Sequence, residues 1–226
     1  MIVKVMVYDT ETNGLPKNWK KGHRVTENWP EPVSVAWSKM TFEIPDPEDV
    51  ETGQEVKHTE LAVHNNGIKY SILRRDDLGP EDWDQGAMRV HGISYYDSIQ
   101  KGKSRQAVLA DFLGDAEWAD LLCCHNADFD RKIMSAEIAR FELYEKSDWI
   151  ANRRHVCTMK QTSYQNGKKW PKLDFLHKRL FGKDFVGAHN AEGDVRATSN
   201  VLYKLVKLDD IKLGGIWLHE RKQLDS

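Results

Sequence analysis

The segment IVKVMVYDTETNGLP, residues 2–16, begins as an apolar run rich in valine and stops on an acid. Such a run predicts a buried strand over residues 2–8. Asp9 and Glu11 stand at its end. Alternate residues of a strand face the same side, so these two carboxylates converge on one point. The pattern alone is weak, because a D-x-E triplet arises by chance about once in a chain of this size. Asp46/Glu48, Asp49/Glu51 and Asp115/Glu117 repeat it here and are read as solvated surface. Asp9 and Glu11 differ in being delivered by an apolar strand and followed by a glycine-containing turn. A buried carboxylate pair is costly without counter-charge, and a metal ion supplies it.

Working outward, VSVAWSKMTF (33–42) reads as a second strand, and TELAVH with IKYSILR as a third. The acidic, proline-containing stretch of about 43–57 reads as an insertion loop. Helical spacing follows over 104–118, with Val108 and Phe112 on one face. ADLLCCHN (119–126) is a strand, 128–142 a helix with Phe129, Ile133, Met134 and Ile138 as core candidates, and HVCTM (155–159) a short fifth strand. Two helices close the pattern, one with Leu173, Leu176 and Leu180 in step, the last with Val195, Val201, Leu202 and Leu205. No repeat or linker divides the chain. Three early strands, then alternating strands and helices, predict one α/β domain with a mixed sheet. The domain is expected over 1–208, with 209–226 as a C-terminal tail.

Two further clusters carry acids near helix starts. In CCHNADFDRKIM a strand runs into His125 and Asn126, and a helix begins near Asp128 to Asp130. An Asp there serves as a cap or dipole partner as readily as a ligand. In GAHNAEGDVRAT, His189 precedes Asp194 by five residues, and Asp194 shares nearly one helix face with Val195 and Val201.

The ordered combination of D-x-E, N-x-x-x-D and H-x-x-x-x-D resembles the DEDDh family of 3′–5′ exonucleases, which includes the proofreading subunit of bacterial DNA polymerase III and ribonuclease T. TETNGLP, NWPEPVSVAW and AMRVHGIS (87–94) resemble further elements of that family. The resemblance covers roughly residues 2–206. It implies a ribonuclease H-like fold, a five-stranded mixed sheet with helices on both faces. It implies Asp9, Glu11, Asp130 and Asp194 as ligands of two divalent ions, and His189 as general base. It also implies Thr10, Thr12, Asn13, Leu15, His91, Asn126 and Phe129 as contacts to the terminal nucleotide. Asn13 departs from the family's threonine, and Ser34 stands where glutamine is frequent. Both lie beside the carboxylates and bear on substrate preference.

The chemistry agrees with that assignment. Phosphodiester hydrolysis needs an activated water and neutralisation of charge on the phosphate and the leaving 3′ oxygen. Two divalent ions about 4 Å apart provide both. Hard oxygen ligands favour Mg²⁺ or Mn²⁺, and histidine titrates near working pH. The expected partner is nucleic acid with a free 3′ end, DNA in the first place. RNA trimming, or a non-catalytic binding module on the same fold, are the alternatives. No docking element for a polymerase or replication partner is recognisable.

The 226 residues are 40% hydrophobic, enough for one sizeable core. Thirty-three Lys and Arg against 35 Asp and Glu give a net charge of −2, not the balance of a protein that holds DNA by charge alone. Three Cys, two of them the adjacent Cys123 and Cys124, are spaced for neither a disulfide framework nor a zinc site, and a cytoplasmic setting is expected. No apolar run approaches a membrane span, and the N-terminus turns acidic too soon for a signal peptide. Lys17, Lys20, Lys21 and Arg24, and again Arg153, Arg154, Lys160, Lys168, Lys169 and Lys172, form acid-free basic runs. Both read as solvated faces, with a phosphate lip as the alternative for the first, which directly follows the acidic strand. Trp19, Trp29 and Trp170 lie in or near them, as packing residues or stacking platforms.

Overall fold

The valine-rich opening forms β1, Ile2–Thr12. The computed structural model describes residues 2–43, 62–163, 166–167 and 169–208. β1 is longer than its apolar run, because backbone pairing with β2 (Pro32–Glu43) carries it past Tyr8 through both acids, with Asp9 opposite Ala36 and Glu11 opposite Ser34. β3, Ala62–Ile72, adds antiparallel to β2. β4, Leu121–Cys124, and β5, His155–Cys157, run parallel to β1 on its other side. The order β3-β2-β1-β4-β5 puts β1 at the centre of a five-stranded mixed sheet, as expected.

Period-two alternation sorts the sheet into two faces. Val3, Val5 and Val7 pack with Leu176, Val195, Val201, Leu202 and Leu205 of α7 (Leu173–Phe181) and α8 (Ala191–Lys207). Met6 and Tyr8 face the opposite way, with Val108, Leu109 and Phe112 of α3 (Arg105–Trp118) and Met134 and Ile138 of α4 (Ala127–Ala139). Ile150 of α5, Tyr144–Asn152, joins that second layer. The three cysteines are free and buried. Among the described residues no helix is long and apolar enough to cross a membrane.

Several boundaries differ from the sequence expectation. The third strand is continuous across the Asn-Asn-Gly stretch between its two expected halves. The fourth and fifth strands are shorter, since Asn126 turns into α4 and Thr158 begins the short helix α6, Thr158–Gln161. Two seven-residue helices were not foreseen, α1 (Gln85–His91), capped by Asp84, and α2 (Tyr95–Lys101), held by a Ser94/Asp97 capping box. Asp115 is not solvated surface. It is buried, accepts a hydrogen bond from Trp37 Nε1 at 2.8 Å, and pairs with Lys39 and Lys69. Asp46/Glu48, Asp49/Glu51, most of the 43–57 loop, Lys168 and the 209–226 tail lie outside the described residues.

Candidate active site

The alternation that sends Val3, Val5 and Val7 toward α8 continues into the acids, so Asp9 and Glu11 face the first turns of α8. Asp194 meets them there, and ligand oxygens of the three lie within 4.8 Å of one another. Thr10 points to the opposite face. Its backbone N–H and its hydroxyl both donate to Asp130 Oδ1, at 3.0 and 2.8 Å. Asp130 therefore approaches from α4 with one oxygen already committed; it acts on Asp9 and Glu11 through its charge but is not among the three whose oxygens converge. The helix begins at Asn126, in the left-handed region at φ 75°, so Asp130 is not its cap. Asp128 is the acid that serves the helix start, paired with Arg131 and Lys160.

Burial dominates the electrostatics. It holds Asp9 well above the usual carboxylate range, with further push from Asp130, Asp194 and Glu11. Glu11 is raised to about 8, by burial first and then by Asp194 and Asp130. Asp130 rises to about 7 through burial, against the pull of the two Thr10 donors. Asp194 rises to about 6 through burial, tempered by His189. Among the described residues no Lys or Arg pairs with any of the four. An oxygen-only cluster with this much uncompensated charge fits a hard divalent cation, which Asp9, Glu11 and Asp194 would hold and which would lower their pKa values.

His189 is exposed at the rim, with φ 63° and its backbone N–H donating to Asp194 Oδ2 at 3.1 Å. The loop before α8 is seated tightly on the helix, because a side chain at Gly193 would strike the Gly187 carbonyl.

The other expected residues fall into two groups. Leu15 is exposed, and Asn126 and Phe129 are partly open at the start of α4. His91 is buried at the end of α1, where its Nδ1 accepts from Ile93 N at 3.0 Å and burial lowers its pKa. Thr10 and Asn13 are instead engaged within the protein. Asn13 Nδ2 donates to Asp82 O at 2.9 Å and Asn13 Oδ1 accepts from Asp84 N at 2.6 Å, which locks the turn after β1 to the start of α1. Thr12 donates to Gly14 O at 2.8 Å, and Ser34 is buried across the ladder from Glu11.

Two unforeseen residues frame the site. The His125 ring bridges Thr158 Oγ1 and Pro171 O, at 2.9 and 3.0 Å, and ties the segment before α7 to the end of β4. Asp174, in the first turn of α7, adds negative charge toward Asp194. It has the sequence signature of an ordinary helix-dipole partner, so nothing in the pattern singles it out. Of the tryptophans, Trp29 is a packing residue, Trp19 is half exposed and Trp170 is exposed.

No family model matches the chain, and no curated protein matches it in sequence. Among solved structures it is similar to Escherichia coli exonuclease I. The zinc-bound complex with single-stranded DNA is 17% identical at a TM-score of 0.59, covering 92% of this chain and 41% of the other. The complex with a dT13 oligonucleotide is 19% identical at 0.60, covering 91% and 41%. A product-bound exonuclease I is 16% identical at 0.57, covering 90% and 43%. The chain thus spans about two fifths of these neighbours' length and shares their ribonuclease H-like fold.

Proposed function

We propose that the chain is a metal-dependent 3′–5′ exonuclease that releases nucleoside monophosphates from single-stranded or frayed DNA, with residues 1–208 as its working unit. The observation that carries this reading is the meeting of Asp9, Glu11 and Asp194 within 4.8 Å, with Asp130 beside them. The fold shared with exonuclease I, whose solved forms include complexes with single-stranded DNA, supports it.

In this reading Asp9, Glu11, Asp130 and Asp194 hold two divalent ions, Mg²⁺ or Mn²⁺. Such ions neutralise charge on the scissile phosphate and on the leaving 3′ oxygen. Thr10 fixes one Asp130 oxygen and leaves the other for the site. His189, at the rim, accepts the proton of the attacking water. Thr12, Leu15, His91, Asn126 and Phe129 surround the terminal nucleotide. Asn13 acts at one remove, by holding α1 and its His91 against the turn after β1.

Matched 3′- and 5′-labelled DNA and RNA, single- and double-stranded, test the proposal. A free 3′-OH should be required, and the 5′-labelled strand should shorten one nucleotide at a time. Covalently closed single-stranded circles should survive, and EDTA should stop the reaction. Rapid cutting of the circle, or full activity in excess EDTA, overturns it.

A further inference from the structure

The loop between β1 and β2 does more than connect two strands. Its base is pinned by Asn13 N to Glu31 O at 2.9 Å, Lys17 N to Asn28 O at 3.0 Å and Trp29 Nε1 to Gly22 O at 3.0 Å. Its tip turns on Asn18, whose side chain accepts from Lys20 N at 2.9 Å and whose carbonyl accepts from the buried Asn28 amide at 2.9 Å. From α4, Lys132 Nζ donates to Trp19 O at 2.9 Å. These bonds hold the backbone of the loop in place.

What it presents is an aromatic ring among cations that have no ion-pair partner among the described residues. Trp19 is 50% exposed, although Trp29 beneath it, at 2%, already fills the packing position. The Trp19 ring sits edge-on to Trp29 at 6.5 Å and tilted on Phe129 at 5.7 Å. Phe129 directly precedes Asp130 in α4, so Trp19 lies beside the helix turn that carries Asp130, outside the acidic group itself. Lys17, Lys20 and Lys21 are exposed and form no ion pair among the described residues, whereas Arg24 and His23 are spent on Asp148 of α5. In a chain of net charge −2, this acid-free tip is a local reversal of sign.

Resting on the exonuclease reading, we propose that residues 17–21 form a subsite for the single strand upstream of the scissile nucleotide. Trp19 stacks on a base, and Lys17, Lys20 and Lys21 hold the phosphates. Stacking tolerates any base, because every base has a π-face. The subsite therefore contributes strand grip without sequence preference.

The test compares two substrates, oligothymidylate dT10 and the p-nitrophenyl ester of thymidine 5′-monophosphate, whose leaving group carries no upstream phosphate or base. Trp19→Ala should raise KM about tenfold on dT10 alone, with kcat unchanged, and Trp19→Phe should recover most of the loss. No change on dT10, or an equal rise on both substrates, overturns the subsite. If the wild type hydrolyses neither substrate, the exonuclease reading fails, and dT10 binding in EDTA decides the subsite separately. Weaker binding by Trp19→Ala supports the subsite, and equal binding rejects it. Should Trp19→Ala fail to fold, the triple Lys17→Gln, Lys20→Gln, Lys21→Gln variant takes its place. Its log–log salt slope for dT10 binding should fall by roughly two, at about 0.7 per phosphate contact, and an unchanged slope overturns the proposal.

Discussion

Glu11 shows how strongly the site depends on what occupies it. Its pKa is raised to about 8 by burial and by Asp194 and Asp130. A carboxyl whose folded pKa lies above its unfolded value stabilises the fold when protonated. That contribution is complete below the unfolded value and is lost as pH rises through about 8. His125 and His155, both lowered to about 4 by burial, act in the opposite sense in acid, so the difference between variants is the informative quantity. Without metal, Glu11→Gln should gain stability over the wild type as pH rises from 5 to 8, by on the order of 1–3 kcal/mol. Melting curves in EDTA measure it, and Mn²⁺ should abolish or reverse the gain. His189 is tested by His189→Asn, since asparagine tolerates its positive φ. The variant should turn over about 10²–10⁴-fold more slowly at saturating Mn²⁺, with an unchanged metal midpoint. Wild-type turnover by this variant would remove His189 as the base.

At the scale of elements, the close seat of the 182–190 loop on α8 is the sensitive joint. Gly193→Ala places a methyl against the Gly187 carbonyl, which costs about 1–3 kcal/mol as overpacking and shifts the chain that carries His189. Activity should fall more steeply than thermal stability, and the two are compared by parallel assay and melting. Sequence alone resolved the elements of clear period, such as β1 and the Val195-to-Leu205 face of α8. It missed α1 and α2, because seven residues make fewer than two helical turns and their identity rests on the caps Asp84 and Ser94. It misplaced Asp115 because an acid beside Glu117 looks solvated. Only the fold brings Trp37, Lys39 and Lys69 around it. For the same reason the engagement of Asn13 with residues 82 and 84 has no local signature.

Across the whole molecule, one buried ionic network joins parts that the sheet does not. Arg75 and Glu137 are both fully buried and paired at 2.6 Å. Asp77, Arg105, Arg140 and Glu31 extend the pairing to α3, α4 and the entrance of β2. Glu137→Leu leaves Asp77 as the remaining acid on Arg75, and removing one partner of a buried pair costs about 3–5 kcal/mol. Urea denaturation should register that loss. A loss below about 1 kcal/mol would mean that Asp77 alone satisfies Arg75. Charged residues at these positions look solvent-facing in sequence, so the network emerges only with the fold. The meeting of β1 with α8 has a consequence in time as well as in space. A ribosome delivers Asp9 and Glu11 long before Asp194, and the helix that closes the cluster is the last of the described elements to be synthesised. The emerging chain therefore lacks Asp194 until α8 docks, and on the exonuclease reading proposed above the site cannot assemble before that helix is made.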